Sequence, residues 1–421
     1  MSSAHITFDF VSDKVALRVT KMRSSAVRDL FSAATSPDII SLSGGMPDVS
    51  LLPRSAVEKA VEAACGDKRA LALQYTSTDG LLGMREVVCD IVSDLGVSCT
   101  PAEVLLTTGA QEGLDLVGKA FINPGDIILA EGPTYLGALQ AFSAYEPEVR
   151  CVPLDDNGLR MDLLEEELQR LGKGAVKYLY TIPSFQNPAG VTMSFERRKR
   201  LVELAEEYDF LIVEDDPYSR LRYDGEHILP LKALSEKVIY LGTISKIFAP
   251  GLRIGWIIAP KCVLDRINLV KQGTDLCGSA FAMVVVEHYF RDTPWKETFQ
   301  GFIETYRERR DAMLAALEEF FPPEASWTHP EGGLFVWVTL PVYIDTGSIL
   351  TVALENGVTY TPGDSFYPNG SKGKNCMRIA FCFASPEKLR EAIRRLGLVI
   401  NERLELYRAF LEAGAIEASP S

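Results

Sequence analysis

Seven short apolar runs, most of them separated by helix-like stretches, constrain the fold of this chain more than any other feature. Val104 to Leu106, Ile127 to Ala130, Val149 to Val152, Tyr178 to Ile182, Phe210 to Val213, Val238 to Leu241 and Ile254 to Ile258 each read as a strand. Between them lie segments such as Phe195 to Tyr208, where Leu201, Leu204 and Ala205 recur at helical spacing among charged neighbours. Strands that alternate with helices in this way build a mainly parallel sheet covered on both faces. The expected fold class is therefore α/β, with a large domain around a mostly parallel seven-stranded sheet.

The alternation stops near residue 295. Trp295 to about Phe320 reads as a long, charged amphipathic helix, followed by strand-like Gly333 to Leu340, a loop from Thr361 to Gly373, a strand from Met377 to Phe383 and a closing helix from Pro386. These elements are expected to form a second, smaller α/β domain. The turn-rich stretch Pro362 to Lys374 reads either as an active-site rim or as a mobile hairpin connection.

A chain of 421 residues, 47% of them apolar, has room for two or three domains and a large core. Its 43 basic and 57 acidic residues leave a formal charge of -14, and no basic block stands out, which argues against a nucleic-acid partner. Cysteines at 65, 89, 99, 151, 262, 277, 376 and 382 form no Cys-x-x-Cys, and there are four histidines. That pattern points to reduced thiols in the cytoplasm and to no metal site. The amino terminus lacks the basic region of a signal peptide. No apolar run approaches the roughly 18 residues of a membrane span. The expectation is a soluble, cytoplasmic protein with no membrane partner.

Three motifs carry chemistry. Lys246 follows the run Val238 to Leu241 and precedes Arg253 within Ser245-Lys246-Ile247-Phe248-Ala249-Pro250-Gly251-Leu252-Arg253-Ile254-Gly255. An amine set among hydroxyls, a second cation and bare backbone suits a Schiff-base lysine beside a phosphate; the plain alternative is a solvated surface lysine. Glu214-Asp215-Asp216-Pro217-Tyr218 closes the run Phe210 to Val213, and carboxylates at such strand ends sit where ligands bind in open α/β sheets, although helix caps look similar. Asn187-Pro188-Ala189-Gly190 follows the run Tyr178 to Ile182 and offers an amide on a stiffened turn, which is also an ordinary turn sequence.

Taken in order, Asn-Pro-x-Gly, Asp-x-x-Tyr and Ser-Lys-x4-Gly-x-Arg-x-Gly resemble the fold-type I pyridoxal 5′-phosphate aminotransferases of class I/II. Within them the chain is most similar to the branch of 2-aminoadipate and kynurenine aminotransferases. The resemblance runs from about Arg23 to about Gly397 and includes Ser43-Gly44-Gly45-Met46-Pro47, Leu73-Gln74-Tyr75-Thr76, Thr107-Thr108-Gly109-Ala110-Gln111, Lys271-Gln272-Gly273 and Gly332-Gly333-Leu334-Phe335-Val336-Trp337.

The resemblance implies a cofactor, roles and an assembly. Lys246 would hold the cofactor and shuttle a proton, and Asp215 would keep the ring nitrogen protonated. Tyr218 and Asn187 would donate to the ring's phenolate oxygen. Tyr135, after Glu131-Gly132-Pro133-Thr134, would stack on the ring, where the alternative is an ordinary buried aromatic. Gly109, Ala110 and Gln111 at a helix start, with Thr243, Ser245 and Arg253, would take the phosphate. Relatives commonly carry serine at the position of Ala110, so one hydroxyl contact is expected to be missing. Arg378 would grip the substrate α-carboxylate, Gly44 and Gly45 would let backbone approach the substrate, and Asn187 would also face it. Tyr75 would reach the phosphate of the other subunit, which implies a homodimer with shared active sites. Arg28 would read an acidic side chain or else be a surface charge.

The implied large domain spans 46–294, and a small domain of 295–421 is joined by 1–45. The implied reaction is transamination between an L-amino acid of 2-aminoadipate, aromatic or branched-chain type and a 2-oxo acid, with glutamate and 2-oxoglutarate as one pair. Cyclisation, elimination or decarboxylation on the same apparatus is the enzymatic alternative. An effector domain of a transcription regulator would need a helix-turn-helix unit ahead of the match, and is set aside.

Overall fold

Eight strands form the central sheet: β1 Val104–Thr107, β2 Ile127–Gly132, β3 Glu148–Asp155, β4 Gly158–Leu159, β5 Val176–Thr181, β6 Leu211–Asp215, β7 Val238–Thr243 and β8 Gly255–Ile258. This is a computed structural model, and it describes residues 14–22 and 38–413. All seven expected strands are present, and the two-residue β4 extends the sheet by folding back antiparallel on β3. The spatial order is β1-β8-β7-β6-β5-β2-β3-β4. The pairs β7/β6, β6/β5, β5/β2 and β2/β3 are parallel. Every residue of β1 and β7 is buried, as expected of strands covered on both faces.

Apart from the two-residue β4, one strand runs against the rest. β8 pairs antiparallel with both β1 and β7, placing Gly255 opposite Thr107 and Thr243. The beginning of β8 therefore lies beside the ends of β1 and β7, at the sheet edge where ligands bind in such folds.

The second unit is a four-stranded antiparallel sheet in the order Ser326–Trp327, Phe335–Thr339, Cys376–Ala380, Thr361–Pro362. By its sequence Thr361–Pro362 belongs to a loop. It pairs with Met377 and Arg378 instead, and the turns Gly363–Phe366 and Pro368–Gly370 follow. Helices Trp295–Phe320 and Pro386–Glu412 pack side by side, close enough that a Cβ on Gly397 would fall 2.5 Å from the Phe320 carbonyl oxygen. Ile40–Ser41 pairs in parallel with Val358–Thr359, just before the strand Thr361–Pro362 of this unit. Among the described residues no helix is long and apolar enough to cross a membrane.

Candidate active site

A cavity of about 700 Å³ opens at the carboxyl ends of the central strands, lined among others by Asn187, Asp215, Tyr218, Lys246, Arg253 and Arg378. Ala110, Gln111, Tyr135, Thr243, Ser245 and Gly45 also face it. Gly109 and Gly44 sit one residue behind this lining. Tyr75 is 79% exposed and lies outside the cavity, and Arg28 lies outside the described residues.

Strand alternation separates the three carboxylates at the end of β6. Glu214 accepts from the backbone N–H groups of Leu231 and Lys232, and Asp216 accepts from Tyr240 Oη and from the Ser219 N–H. Asp215 faces the cavity. Its Oδ2 accepts from Tyr180 Oη at 2.8 Å, while Oδ1 is buried without a hydrogen-bond partner among the described residues. Burial, reinforced by the charges of Asp216 and Glu131, pushes Asp215 up to about 7. A buried carboxylate oxygen without a donor is costly, and a protonated ring nitrogen would satisfy it.

Lys246 lies in the short turn after β7 and donates from Nζ to the Gly45 carbonyl at 2.7 Å. Burial, with the nearby Arg378 and Arg253 charges, lowers it to about 8. A Cβ on Gly45 would fall 2.4 Å from Phe335 Cζ, so only glycine lets that backbone come this close. Thr243 Oγ1 and Ser245 Oγ stand 2.8 Å apart, both buried.

Helix Gly109–Phe121 begins directly after β1 and points its amino terminus at this edge. Gly109 has φ +74°, and a Cβ there would strike Arg253 Nη2 at 2.3 Å. Arg253 itself has φ +53° and is exposed, and its guanidinium donates to two backbone carbonyls, those of Pro250 and Thr108. A helix start with a guanidinium above it and no carboxylate paired to that guanidinium among the described residues is the electrostatic setting for an anion. Gln111 donates to the Gly137 carbonyl at 2.7 Å and accepts from Tyr135 Oη at 3.3 Å, which holds the Tyr135 ring beside the cavity. The donor set and the unpartnered Asp215 oxygen fit a pyridoxal phosphate: a carboxylate acceptor for a protonated ring nitrogen at one end and an anion cup at the other.

Arg378 enters from the second sheet and is 3% exposed. Its guanidinium lies 4.2 Å from the Phe335 ring centroid and 5.0 Å from that of Phe366. It donates to Asn187 Oδ1 at 2.9 Å and to the Ser43 carbonyl, and its Nε is buried without a partner among the described residues. Burial lowers it to about 10, which leaves it a cation at neutral pH. Because Asn187 spends its oxygen on Arg378, its amide N–H groups are left to donate. Phe366 makes the turn after Thr361–Pro362 a packed wall, so the stretch read as rim or mobile hairpin takes part in the cavity's surroundings.

Several supporting residues were not anticipated. Tyr180 read as one more apolar strand residue, yet its hydroxyl holds Asp215. Arg198, in a helix that looks solvated, is fully buried and donates to the Pro183, Met193 and Leu229 carbonyls and to Ser184 Oγ, which anchors the approach to Asn187. Glu131 accepts from Thr181 Oγ1, the Ile182 N–H and Gln186 Nε2, pinning the same turn. A carboxylate closing an apolar run, as Glu131 closes Ile127 to Ala130, was the available signal; Arg198 offered none.

The family model for class I and II aminotransferases matches residues 37–396. The chain is 47% identical to aromatic-amino-acid aminotransferase 1 of Thermococcus litoralis, over 91% of this chain and 93% of that protein. Its fold is similar to the kynurenine aminotransferase of Pyrococcus horikoshii, solved with PMP and with kynurenine as substrate, with 44% identity and a TM-score of 0.90 over 94% and 99% of the two chains. It is also similar to the α-aminoadipate aminotransferase of Thermus thermophilus, solved with N-(5′-phosphopyridoxyl)-L-leucine, at 34% identity and a TM-score of 0.87 over 94% and 99%.

Proposed function

The chain belongs to the class I and II aminotransferases and catalyses pyridoxal 5′-phosphate-dependent transamination between amino and 2-oxo acids, and we propose that its amino donors carry large aromatic or apolar side chains, with glutamate and 2-oxoglutarate as the exchanging pair. The observation that carries this reading is the composition of the cavity: beside the cations Lys246, Arg253 and Arg378, its lining includes Leu114, Leu136, Ile182 and Phe335. The names of the similar enzymes support it. A 2-aminoadipate-type donor is the second reading, favoured by the likeness to the Thermus enzyme; its proposed reader, Arg28, lies outside the described residues.

When bound, pyridoxal phosphate supplies a sink for the electron pair left at Cα when a bond there breaks. The protein's part is to hold, orient and move protons. Asp215, anchored by Tyr180, would keep the ring nitrogen protonated through its free Oδ1. Asn187 and Tyr218 would donate to the ring oxygen, and Tyr135 would cover the ring face. The N–H groups of Gly109, Ala110 and Gln111, the hydroxyls of Thr243 and Ser245, and the Arg253 guanidinium would take the phosphate. Arg378 would bind the α-carboxylate, which fixes the Cα hydrogen relative to Lys246. Because burial lowers Lys246 to about 8, a fraction of its amine is neutral at neutral pH, and its Nζ would take that proton and return it. Gly44 and Gly45 would leave room for the substrate.

We assign 46–294 to a large domain and 295–421, joined by 1–45, to a small one, on the pairing of Ile40–Ser41 with Val358–Thr359. We place the chain in the cytoplasm, on its eight free cysteines. A homodimer sharing its active sites is proposed because Leu73 and Tyr75 are 72% and 79% exposed on one turn. The substrate reading is tested by a panel of amino donors and oxo-acid acceptors followed by product mass. Turnover confined to acidic donors would overturn it.

A further inference from the structure

Lys271, in the last turn of helix Lys261–Gln272, is completely buried. Its Nζ donates to Glu112 Oε1 at 3.2 Å and to Asp275 Oδ2 at 2.5 Å. Glu112 belongs to the first turn of helix Gly109–Phe121, and its other oxygen accepts from the Thr108 N–H. The Thr108 carbonyl in turn accepts from Arg253 Nη2 at 3.4 Å. Lys119 Nζ, donating to Thr274 Oγ1 at 2.9 Å, fastens the same two segments a second time. A continuous chain of contacts thus runs from Lys271 through Glu112 and Thr108 to Arg253.

The difficulty lies in the sign of Glu112. A helix amino terminus attracts anions, and a carboxylate in its first turn satisfies that attraction itself. A second anion arriving at the same helix start, a phosphate ester with close to two negative charges at neutral pH, would be repelled across partly buried protein, where charges are poorly screened. Glu112 is nevertheless useful there, because it holds the Thr108 N–H and so the turn leading into Gly109. The geometry points to Lys271 as the residue that reconciles these demands: it is a positioning residue that cancels the charge of Glu112 behind the phosphate cup while leaving its hydrogen bond to Thr108 in place. This rests on the proposal that the cup at Gly109, Ser245 and Arg253 takes the cofactor phosphate. With Lys271 the local set of Glu112, Asp275 and Lys271 carries one net negative charge; without it, two. A purely structural role predicts something different, since replacing a buried ion-pair partner disturbs stability wherever the ligand binds.

The experiment is a titration of the cofactor-free protein with pyridoxal 5′-phosphate and, separately, with pyridoxal, reading dissociation constants from absorbance and folding from thermal melts. Lys271→Met should weaken pyridoxal phosphate by about tenfold, the scale of a partly buried charge near a helix end. Lys271→Arg should bind like the wild type, and Glu112→Gln, which keeps an acceptor for Thr108 but sheds the charge, should bind at least as tightly. The double variant Lys271→Met/Glu112→Gln should return toward the wild type, and pyridoxal, without a phosphate, should bind the whole series alike. A double variant as weak as Lys271→Met, or pyridoxal weakening in parallel, would overturn the proposal. If Lys271→Met does not fold, Glu112→Gln decides: weaker binding of pyridoxal phosphate than wild type rejects the charge argument. Arg253→Met separates the two levels. If it leaves pyridoxal phosphate affinity unchanged, the cup assignment falls and this inference with it; if it weakens binding while Lys271→Met does not, only the inference falls.

Discussion

Tyr180 donates its hydroxyl to Oδ2 of Asp215 at 2.8 Å, while Oδ1 of the same carboxylate is buried with no partner among the described residues. One oxygen thus fixes the orientation of the group, and the other is the one proposed to meet the protonated ring nitrogen. Asp215→Asn should keep the fold and slow each half-reaction by about 100- to 1000-fold, the range for loss of one preorganised electrostatic contact. Stopped-flow absorbance measures this; near wild-type rates would show that no carboxylate is needed there.

The same carboxylate has a signature in the cofactor-free protein. Burial raises Asp215 from 3.8 to about 7, so its folded form binds a proton more tightly than the unfolded chain does. The stability it contributes is full below pH 3.8 and is lost as pH rises through about 7. Glu131 and Glu214, both raised to about 7 by burial, act in the same direction. Melting temperature of the cofactor-free protein should therefore fall between about pH 4 and pH 7, and Asp215→Asn should flatten the fall. An equal slope in the variant would remove Asp215 from the set.

Lys246, lowered to about 8 by burial, should capture the cofactor faster as pH climbs through that value, because only the neutral amine is a nucleophile. Borohydride reduction and peptide mapping should find the pyridoxyl group on Lys246, and Lys246→Ala should cost about a thousandfold or more in turnover. A label on another lysine would reject the assignment.

Arg378→Lys keeps the charge and loses the planar fork held between Phe335 and Phe366. The expected drop in kcat/KM is about 10- to 100-fold, the worth of one charged hydrogen bond. It should be similar for every amino donor, since all share the α-carboxylate. A loss confined to one side-chain class would move Arg378 from the carboxylate to the specificity site.

Tyr75 faces solvent in the single chain, so its proposed role requires a partner. Mixing Lys246→Ala with Tyr75→Phe should restore activity above either parent, because a mixed dimer contains one site free of both lesions, provided that Tyr75→Phe is itself strongly impaired. An active monomer in sedimentation at assay concentration would refute shared sites.

Lys246, Asp215 and Asn187 were legible because each follows a recognisable apolar strand, and an open parallel sheet gathers its strand ends at one edge. Arg198 was not, and of Lys271, which stands in a run that carries the family resemblance, neither the burial nor the partners were. A basic residue in a charged helix carries no mark of burial, which depends on carbonyls and carboxylates supplied by segments far away in the chain. The composition of the segment from Thr361 marks it as loop, because its pairing with Met377 and Arg378 depends on a neighbouring strand rather than on its own residues.

By itself, the sequence determined the strand and helix alternation, the order of chemical groups along it and the family to which they belong, since these follow from local periodicity and residue type. Only the tertiary structure decided which atoms meet. Strand alternation turned Asp215 into the cavity while Glu214 and Asp216 found donors elsewhere. The reversed direction of β8 carried Arg253 over the helix start at Gly109, about 140 residues earlier in the chain. The second sheet delivered Arg378 to Asn187. Each meeting is set by register and packing between distant segments, which no local pattern encodes.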